Sequence, residues 1–379
     1  MSESPSISIA PPDVLEQTPL ASRWLTGNPG LQVAPYRGAE TVRVLNGVSE
    51  ELAALTSRAG IYDLGYRAFV RIAGEDRIRW TNGMVSNTIV GLEEGQGNYS
   101  FLLNAQGRIL GDATIYRFSD HLLLETDRSQ IRTVIAHLDH FIIMDDVELQ
   151  PLDVSRTAIG IAGSEASQIL AQLGLAAPSQ DMTTQSAVAA KWQGGEILII
   201  HAHSPLVPRF EIHLQSDAAP ALWDGLTAAG ATGCGWEAVE ALRVLEGTPL
   251  YGLDIRDRHL PQETAQTRAL NFSKGCYLGQ EIVERIRSRA TVHRTLRQFA
   301  MAGPAPFIAA GQTLSLEAEG AQQNPVGELS SAASYDLPEF TGTLALGFIR
   351  TEAVERKLPI TSAGLAVTAL DAPPKIRTK

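Results

Sequence analysis

Hydrophobic and polar positions follow two different periods along this chain, and the switches between them predict a mixed α and β protein. Over 49–58, Leu52 and Leu55 share one helical face behind acids in the first turn, which predicts a short amphipathic helix. Period-two alternation over 67–72 predicts a half-buried strand, and 75–81 starts a helix that feeds Asn82 and Gly83. Segments 97–103, 111–118 and 121–125 read as successive strands, the first two joined by a turn at 104–107. A helix over 129–137 turns Ile131, Val134 and Ile135 inward, and 147–152 returns to strand. A second unit repeats the mixture. It holds strand 156–162, helix 164–173 with Ser164 as N-cap, strands 196–201 and 209–214, helix 218–229, and helix 237–246 ending at Gly247.

After Glu281 the texture changes. Short β-like runs at 295–301, 313–317, 343–349 and 365–369 lie between turns rich in Gly, Pro and Ser, the signature of a small all-β barrel or sandwich. A chain of 379 residues is long for one hydrophobic core, so two or three domains are expected.

Composition narrows the class. With 44% hydrophobic and 19% charged residues the chain reads as soluble and globular. A net charge of -11 argues against anionic membranes and against direct RNA binding, because phosphate recognition needs clustered positive charge. Two cysteines, Cys234 and Cys276, make no disulfide framework, which suggests a reducing cytoplasm. Residues 1–20 lack a basic start and a sustained apolar core, so they read as a mobile lead-in and not a secretory signal. No stretch is apolar for the roughly 20 residues that span a bilayer, so no membrane partner is expected.

The chemistry concentrates in Lys274-Gly275-Cys276-Tyr277-Leu278-Gly279-Gln280-Glu281. A cysteine reacts as its thiolate; nearby positive charge lowers the thiol pKa and apolar burial raises it. Lys274, Arg285, Arg287 and Arg289 can supply positive field, and Gly275 and Gly279 permit close approaches that a side chain blocks. Exposed, Cys276 is a candidate for reaction, redox exchange or metal–sulfur contact; buried, it is a small core residue, the commoner fate of a free cysteine. The basic segment 284–298 follows, carrying also Arg294 and Arg297. As a strand it places Arg285, Arg287 and Arg289 on one face, for an anion clamp, an RNA contact or activation of Cys276. As a solvated face it only balances the acidic surface. The anion or activator role is preferred because the segment follows the loop directly.

Other patterns carry less. His201 and His203 share a strand face with His213 nearby, but zinc sites need three or four ligands at recognisable spacing, so no stably bound metal is expected. Gly160-Ile161-Ala162-Gly163 lacks the lysine and the spacing of a phosphate loop and reads as a strand-to-helix turn.

Taken in order, the motifs make the chain resemble the YgfZ-type folate-binding proteins, relatives of the glycine cleavage T-protein, an aminomethyltransferase. Segment 274–281 matches that family's KGCYxGQE signature at every fixed position. Before it stand Arg243, Gly247, Pro249-Leu250-Tyr251-Gly252, Asp254 and Leu260-Pro261-Gln262-Glu263, in the family's order of LRxxxGxPLYG, an aspartate and PxE. Upstream, Ala59-Gly60-Ile61-Tyr62-Asp63-Leu64 is similar to a T-protein strand start. Gly97-Asn98-Tyr99 with Leu103-Asn104-Ala105-Gln106-Gly107 is similar to the GxxYxxxLNxxG hairpin.

The resemblance implies an α+β fold of three domains in a ring around a central folate channel, closed by a C-terminal β-barrel. It implies a flexible lead-in at 1–30, a discontinuous α/β domain at 31–60 and 150–283, an inserted α/β domain at 61–149, and the barrel at 284–379. It implies tetrahydrofolate or a one-carbon derivative as cofactor, held by Tyr99, Glu211, Arg243 and Tyr251. Glu211 matches the glutamate of the family's GYEI or GFEI strand, where a carboxylate accepts paired hydrogen bonds from a pterin edge. Arg243 matches a pocket arginine, and Tyr99 and Tyr251 match aromatic positions that pack on a flat ring. Two departures stand out. The T-protein's Asp-Asp pair is here Gly111-Asp112, and its TGYTGEDG stretch is replaced by His203-Ser204-Pro205-Leu206-Val207-Pro208. Paired carboxylates can divide acid and base roles; Asp112 alone has lost that arrangement.

The function so implied is a tetrahydrofolate-binding accessory protein that supports iron–sulfur cluster assembly or repair, and through cluster enzymes tRNA modification. Cys276 is its reactive group and iron–sulfur proteins are its partners. The alternative is a folate-dependent aminomethyltransferase or demethylase in which Asp112 orients or deprotonates an amine.

Overall fold

The computed structural model describes residues 15–27, 30–152, 155–179, 182–289, 292–303, 311–316 and 324–376. Three large sheets organise them. A six-stranded sheet runs Ala187–Trp192, Gly195–His201, Arg209–Gln215, Arg156–Ala162, Gly60–Asp63, Thr232–Cys234, antiparallel except for the last pair. A five-stranded antiparallel sheet runs Gly97–Leu103, Ile109–Arg117, Leu122–Asp127, Arg67–Ala73, Glu148–Pro151. Arg294–Met301, Gln312–Leu316, Asn324–Leu337, Phe340–Arg350, Ile360–Ser362 and Leu365–Leu370 close a six-stranded barrel.

The pleat of one strand decides what faces the site. In Arg209–Gln215, Phe210 and Ile212 pack with Ile169, Leu170, Leu222 and Leu226 of helices Ala166–Gln172 and Ala219–Ala228. Each such side chain contributes about 1.5–3 kcal/mol by leaving water. Successive strand residues point to opposite faces, so Arg209, Glu211 and His213 face away from those helices. There His213 meets Phe69 and Tyr116 of the five-stranded sheet edge-on.

Helix Trp236–Leu245 joins the units. Ala238, Leu242 and Leu245 share a core with Leu52 and Leu55 and with Tyr335 and Leu344 of the barrel. The barrel also caps this helix: the Gln298 Nε2 amide donates to Val244 O and Leu245 O, carbonyls that a helix end leaves unmet. The Tyr335 hydroxyl donates to Ala241 O at 2.6 Å.

Several expectations change. Residues 1–14 lie outside the described residues, but Pro19–Gly27 of the supposed lead-in is a helix that buries Leu20 and Ala21. Ser164 is not an N-cap; its hydroxyl donates to Ser57 O, and Glu165 precedes the helix. The basic segment opens as helix Gln280–Arg289, not a strand. Arg285 reaches Glu281 at 2.7 Å and Arg287 reaches Glu284 at 2.8 Å, one-turn pairs that favour a helix. Arg294 instead starts the barrel and pairs with Glu263 at 2.7 Å. The side chain of Arg289 and residues 290–291 lie outside the described residues. The single-faced arginine row therefore does not form from Arg285 and Arg287. Among the described residues no helix is long and apolar enough to cross a membrane.

Candidate functional site

A cavity opens between the two open sheets and helix Trp236–Leu245. Its volume is about 110 Å³, and its mouth is open to solvent. Its wall is densely charged: Asp112, Glu125, Glu211 and Glu240 face Arg37, Arg67, Arg209, Arg243 and Arg268.

Glu211 sits between Ile200 on one neighbouring strand and Gly160 on the other. Gly160 is needed there, because a Cβ would fall 2.1 Å from the Tyr62 ring that packs over it. The Glu211 carboxylate is 6% exposed and accepts no hydrogen bond among the described residues. Its nearest cations are Arg67 at 3.8 Å and Arg209 at 3.9 Å, beyond hydrogen-bond reach. Arg209 Nε is sealed from solvent with no hydrogen-bond partner, and Nη1 stands 3.8 Å from Glu246. Arg67 Nε lies 3.2 Å from Glu125 but is misaligned for bonding. A buried polar group left unmet costs about 1–3 kcal/mol, so this end of the cavity displays donors and an acceptor that a ligand can satisfy.

Across the cavity, the Tyr99 hydroxyl donates to Asp112 Oδ2 at 2.6 Å, and the Gln130 amide donates to Oδ1 at 2.8 Å. Burial pushes the Asp112 carboxyl above its ordinary range; the Asp127 charge adds to this and the two hydrogen bonds oppose it. Asp127 is itself held by Arg37 at 2.6 Å and Arg67 at 3.1 Å. Asp112 thus has a carboxylate neighbour in space, although the adjacent position in sequence is Gly111.

Arg243 lines the cavity, but its donors are committed. Nε and Nη2 bond Glu240, Nη1 bonds Thr248 O and Asp254 Oδ2, and Nη2 also bonds Ser331 Oγ. A guanidinium has five N–H groups, and all are engaged. Arg243 is therefore a positioning residue that ties helix, loop and barrel together. Tyr251 is not in this cavity: its hydroxyl donates to Leu110 O at 2.7 Å, and it lines a separate pocket with Gln130 and Arg256.

The three histidines do not converge. His201 contacts Met182 O, and His203 lines the cavity, its pKa pushed down to about 4 by burial with Arg268 and Arg209 nearby. His213 is buried with Glu125 and Glu211, their ligand atoms within 4.8 Å of one another. Burial pushes the His213 pKa down to about 3, and neither ring nitrogen has a hydrogen-bond partner. Arg67 already sets a positive charge against both carboxylates of that trio, which disfavours a cation there.

Most of the loop 274–281 is docked. Lys274 Nζ donates to Asn82 O, Val85 O and Asn87 O, each at 2.6 Å. Tyr277 is buried with Phe101, Leu103 and Val283, and Gln280 Oε1 accepts from its N–H. Gly279 has φ +81, and a Cβ there would lie 2.6 Å from Asn104 O and 3.1 Å from Gly107 Cα. The turn glycine of the hairpin and the second glycine of the loop therefore require one another. Gly275 faces open space, so the close approach expected of it is absent. Glu281 is exposed, and among the described residues it pairs with Arg285. Cys276 is exposed, as its reactive reading requires, and it is not among the residues that line the cavity.

Sequence reasoning missed Arg37, Arg67, Arg209, Glu240 and Arg268. Strand alternation could have found Arg209, two residues from Glu211, and helical spacing could have found Glu240, three from Arg243. Arg37, Arg67 and Arg268 carry no local signal; only the fold brings them together.

Comparison with known proteins agrees with this geometry. Residues 31–274 match the family described as the GCVT N-terminal domain. An aminomethyltransferase of Exiguobacterium sibiricum is 24% identical over 357 residues, covering 92% of this chain and 95% of that protein. An aminomethyltransferase of Frankia alni is 27% identical over 299 residues, 75% and 77% of the two chains. In structure, the glycine cleavage system aminomethyltransferase T of Bartonella henselae aligns with a TM-score of 0.81 at 21% identity, over 95% of this chain and 98% of that one. The α+β fold with its closing barrel is that of the T-protein.

Proposed function

This chain belongs to the GCVT N-terminal domain family, and from that premise we propose that its central cavity binds tetrahydrofolate or a one-carbon derivative. The observation that carries the reading is the set of unmet groups at one end: Glu211 as an unbonded acceptor, with Arg209 Nε and Arg67 Nε as buried donors that make no hydrogen bond. The amino-pyrimidinone edge of a reduced pterin presents N–H donors next to a carbonyl oxygen. Glu211 would take the donors and a guanidinium the oxygen. Tyr99 and Tyr116 offer aromatic wall nearby. When bound, tetrahydrofolate supplies nitrogen atoms that carry one-carbon units. Calorimetric titration with tetrahydrofolate tests the reading; a folded protein that releases no heat and shows no affinity would remove it.

Beyond binding, we favour an accessory role of the YgfZ type, supporting iron–sulfur cluster assembly or repair and through it tRNA modification, with iron–sulfur proteins as partners. The exposed thiol of Cys276 supports this, held outside the cavity on a loop anchored by Lys274, Tyr277 and Gly279. A Cys276→Ser variant that restored iron–sulfur enzyme activity in a strain lacking the protein would overturn it. Aminomethyl transfer is the second reading, favoured by Asp112, a half-buried carboxyl on the cavity wall placed to accept a hydrogen bond or a proton from an amine. Methylene-tetrahydrofolate formed from an aminomethyl donor, and lost in Asp112→Asn, would establish that reading instead.

A further inference from the structure

Arg268 is the one arginine of the cavity wall whose side chain has neither an ion-pair partner nor a carboxylate hydrogen bond among the described residues. It sits on the short turn Thr267–Ala269, whose backbone is fixed by Asn87 donating to Arg268 O at 2.9 Å. Its guanidinium carbon lies 4.0 Å above the Tyr99 ring, and Nε donates to Gln266 Oε1 at 3.2 Å. Its terminal amino groups, with four N–H donors between them, have no acceptor among the described residues. Arg209 shares the same wall, and its charge acts against that of Arg268. Asp112 and Glu246 offset part of this repulsion without bonding Arg268, and an anion between the two guanidinium groups would lower it further.

We propose that Arg268, with Arg209, holds a carboxylate inside the cavity, on the Tyr99–Asp112 side. The planar fork of a guanidinium matches a carboxylate with two parallel hydrogen bonds. His203, neutral at working pH, lines the same wall and can add a third polar contact. Tyr99 links the two halves of the subsite, its ring under Arg268 and its hydroxyl on Asp112. A carboxylate on Arg268 and an amine at Asp112 describe an amino-acid zwitterion; a carboxylate alone describes the glutamate of folate. The inference rests on the folate reading only in placing the pterin edge at Glu211.

Wild-type protein and Arg268→Met are each titrated calorimetrically with tetrahydrofolate, with tetrahydropterin, which lacks the glutamate, and with glycine. Arg268→Met is expected to bind tetrahydropterin as wild type does and to lose at least tenfold in affinity for a carboxylate-bearing ligand. A loss confined to tetrahydrofolate assigns the carboxylate to the folate tail, and a loss of glycine binding assigns it to a second small ligand. Equal affinities of both proteins for tetrahydrofolate and glycine overturn the proposal. Arg268→Lys, which keeps the charge and removes the fork, is expected to fall between the two and serves if the methionine variant does not fold. Tetrahydropterin binding by wild type judges the folate reading separately.

Discussion

The Glu211 carboxylate and the Arg209 guanidinium stand 3.9 Å apart on one face of one strand, close enough to balance charge and too far to bond. Buried ion pairs are normally stitched by hydrogen bonds, since desolvation otherwise outweighs their attraction. Here the Glu211 carboxylate and Arg209 Nε make no hydrogen bond among the described residues. Arg209→Lys keeps the charge and removes the fork, so tetrahydrofolate affinity is expected to fall about tenfold, in the range of one charge-assisted hydrogen bond. Fluorescence titration of the two proteins checks it.

Arg243 differs in kind, because its contacts are internal. Arg243→Met leaves Glu240 and Asp254 buried without their cation, and a loss of about 3–5 kcal/mol in unfolding free energy is expected. Urea unfolding reads this directly. A variant with wild-type stability and lost folate affinity would return Arg243 to the ligand.

The two thiols are expected to separate cleanly. Cys276 is exposed, while burial pushes the Cys234 thiol up, with Glu51 adding to the effect. Native protein should react with a thiol reagent at one site only, and at the second on unfolding. Cys276→Ser should abolish the native reaction.

Protonation should tell on stability through His213. Its pKa is about 3 in the folded protein, against roughly 6.5 for the unfolded chain. Between those values the unfolded chain binds a proton that the folded one does not, so this group's contribution to stability falls as pH drops through the window. Glu125 and Asp112, pushed up mainly by burial, act in the opposite sense, so the comparison must be made by difference. His213→Phe should gain stability relative to wild type at each step from pH 7 towards 4 in urea unfolding. Parallel pH profiles would contradict it.

Sequence made the strands around the site legible where apolar and polar residues alternate, as in Arg67–Ala73 and Arg209–Gln215. It missed Asn324–Leu337, the longest strand, because its inward positions include serines. Ser330 and Ser331 are buried and donate to Asp254, so residues that read as a turn are internal donors. Helix Gln280–Arg289 was hidden by arginines at alternate positions, although its ion pairs have helical spacing. Family motifs pointed to Glu211 and Asp112, and the fold brings both to the cavity wall. Tyr251 was misplaced because a motif gives order along the chain and not which side of a loop meets a cavity. That Arg268 has no ion-pair partner among the described residues could not be read at all, since it is a property of the packed structure.

The proposed folate site turns on Glu211 as the acceptor for a pterin edge. Calorimetry with tetrahydrofolate on wild type and Glu211→Gln measures this most directly. The carboxamide has the same shape, but it loses one acceptor and the charge, so affinity should fall roughly 10- to 100-fold, the cost of a charge-assisted hydrogen bond or two. Equal affinity of the two folded proteins would contradict it.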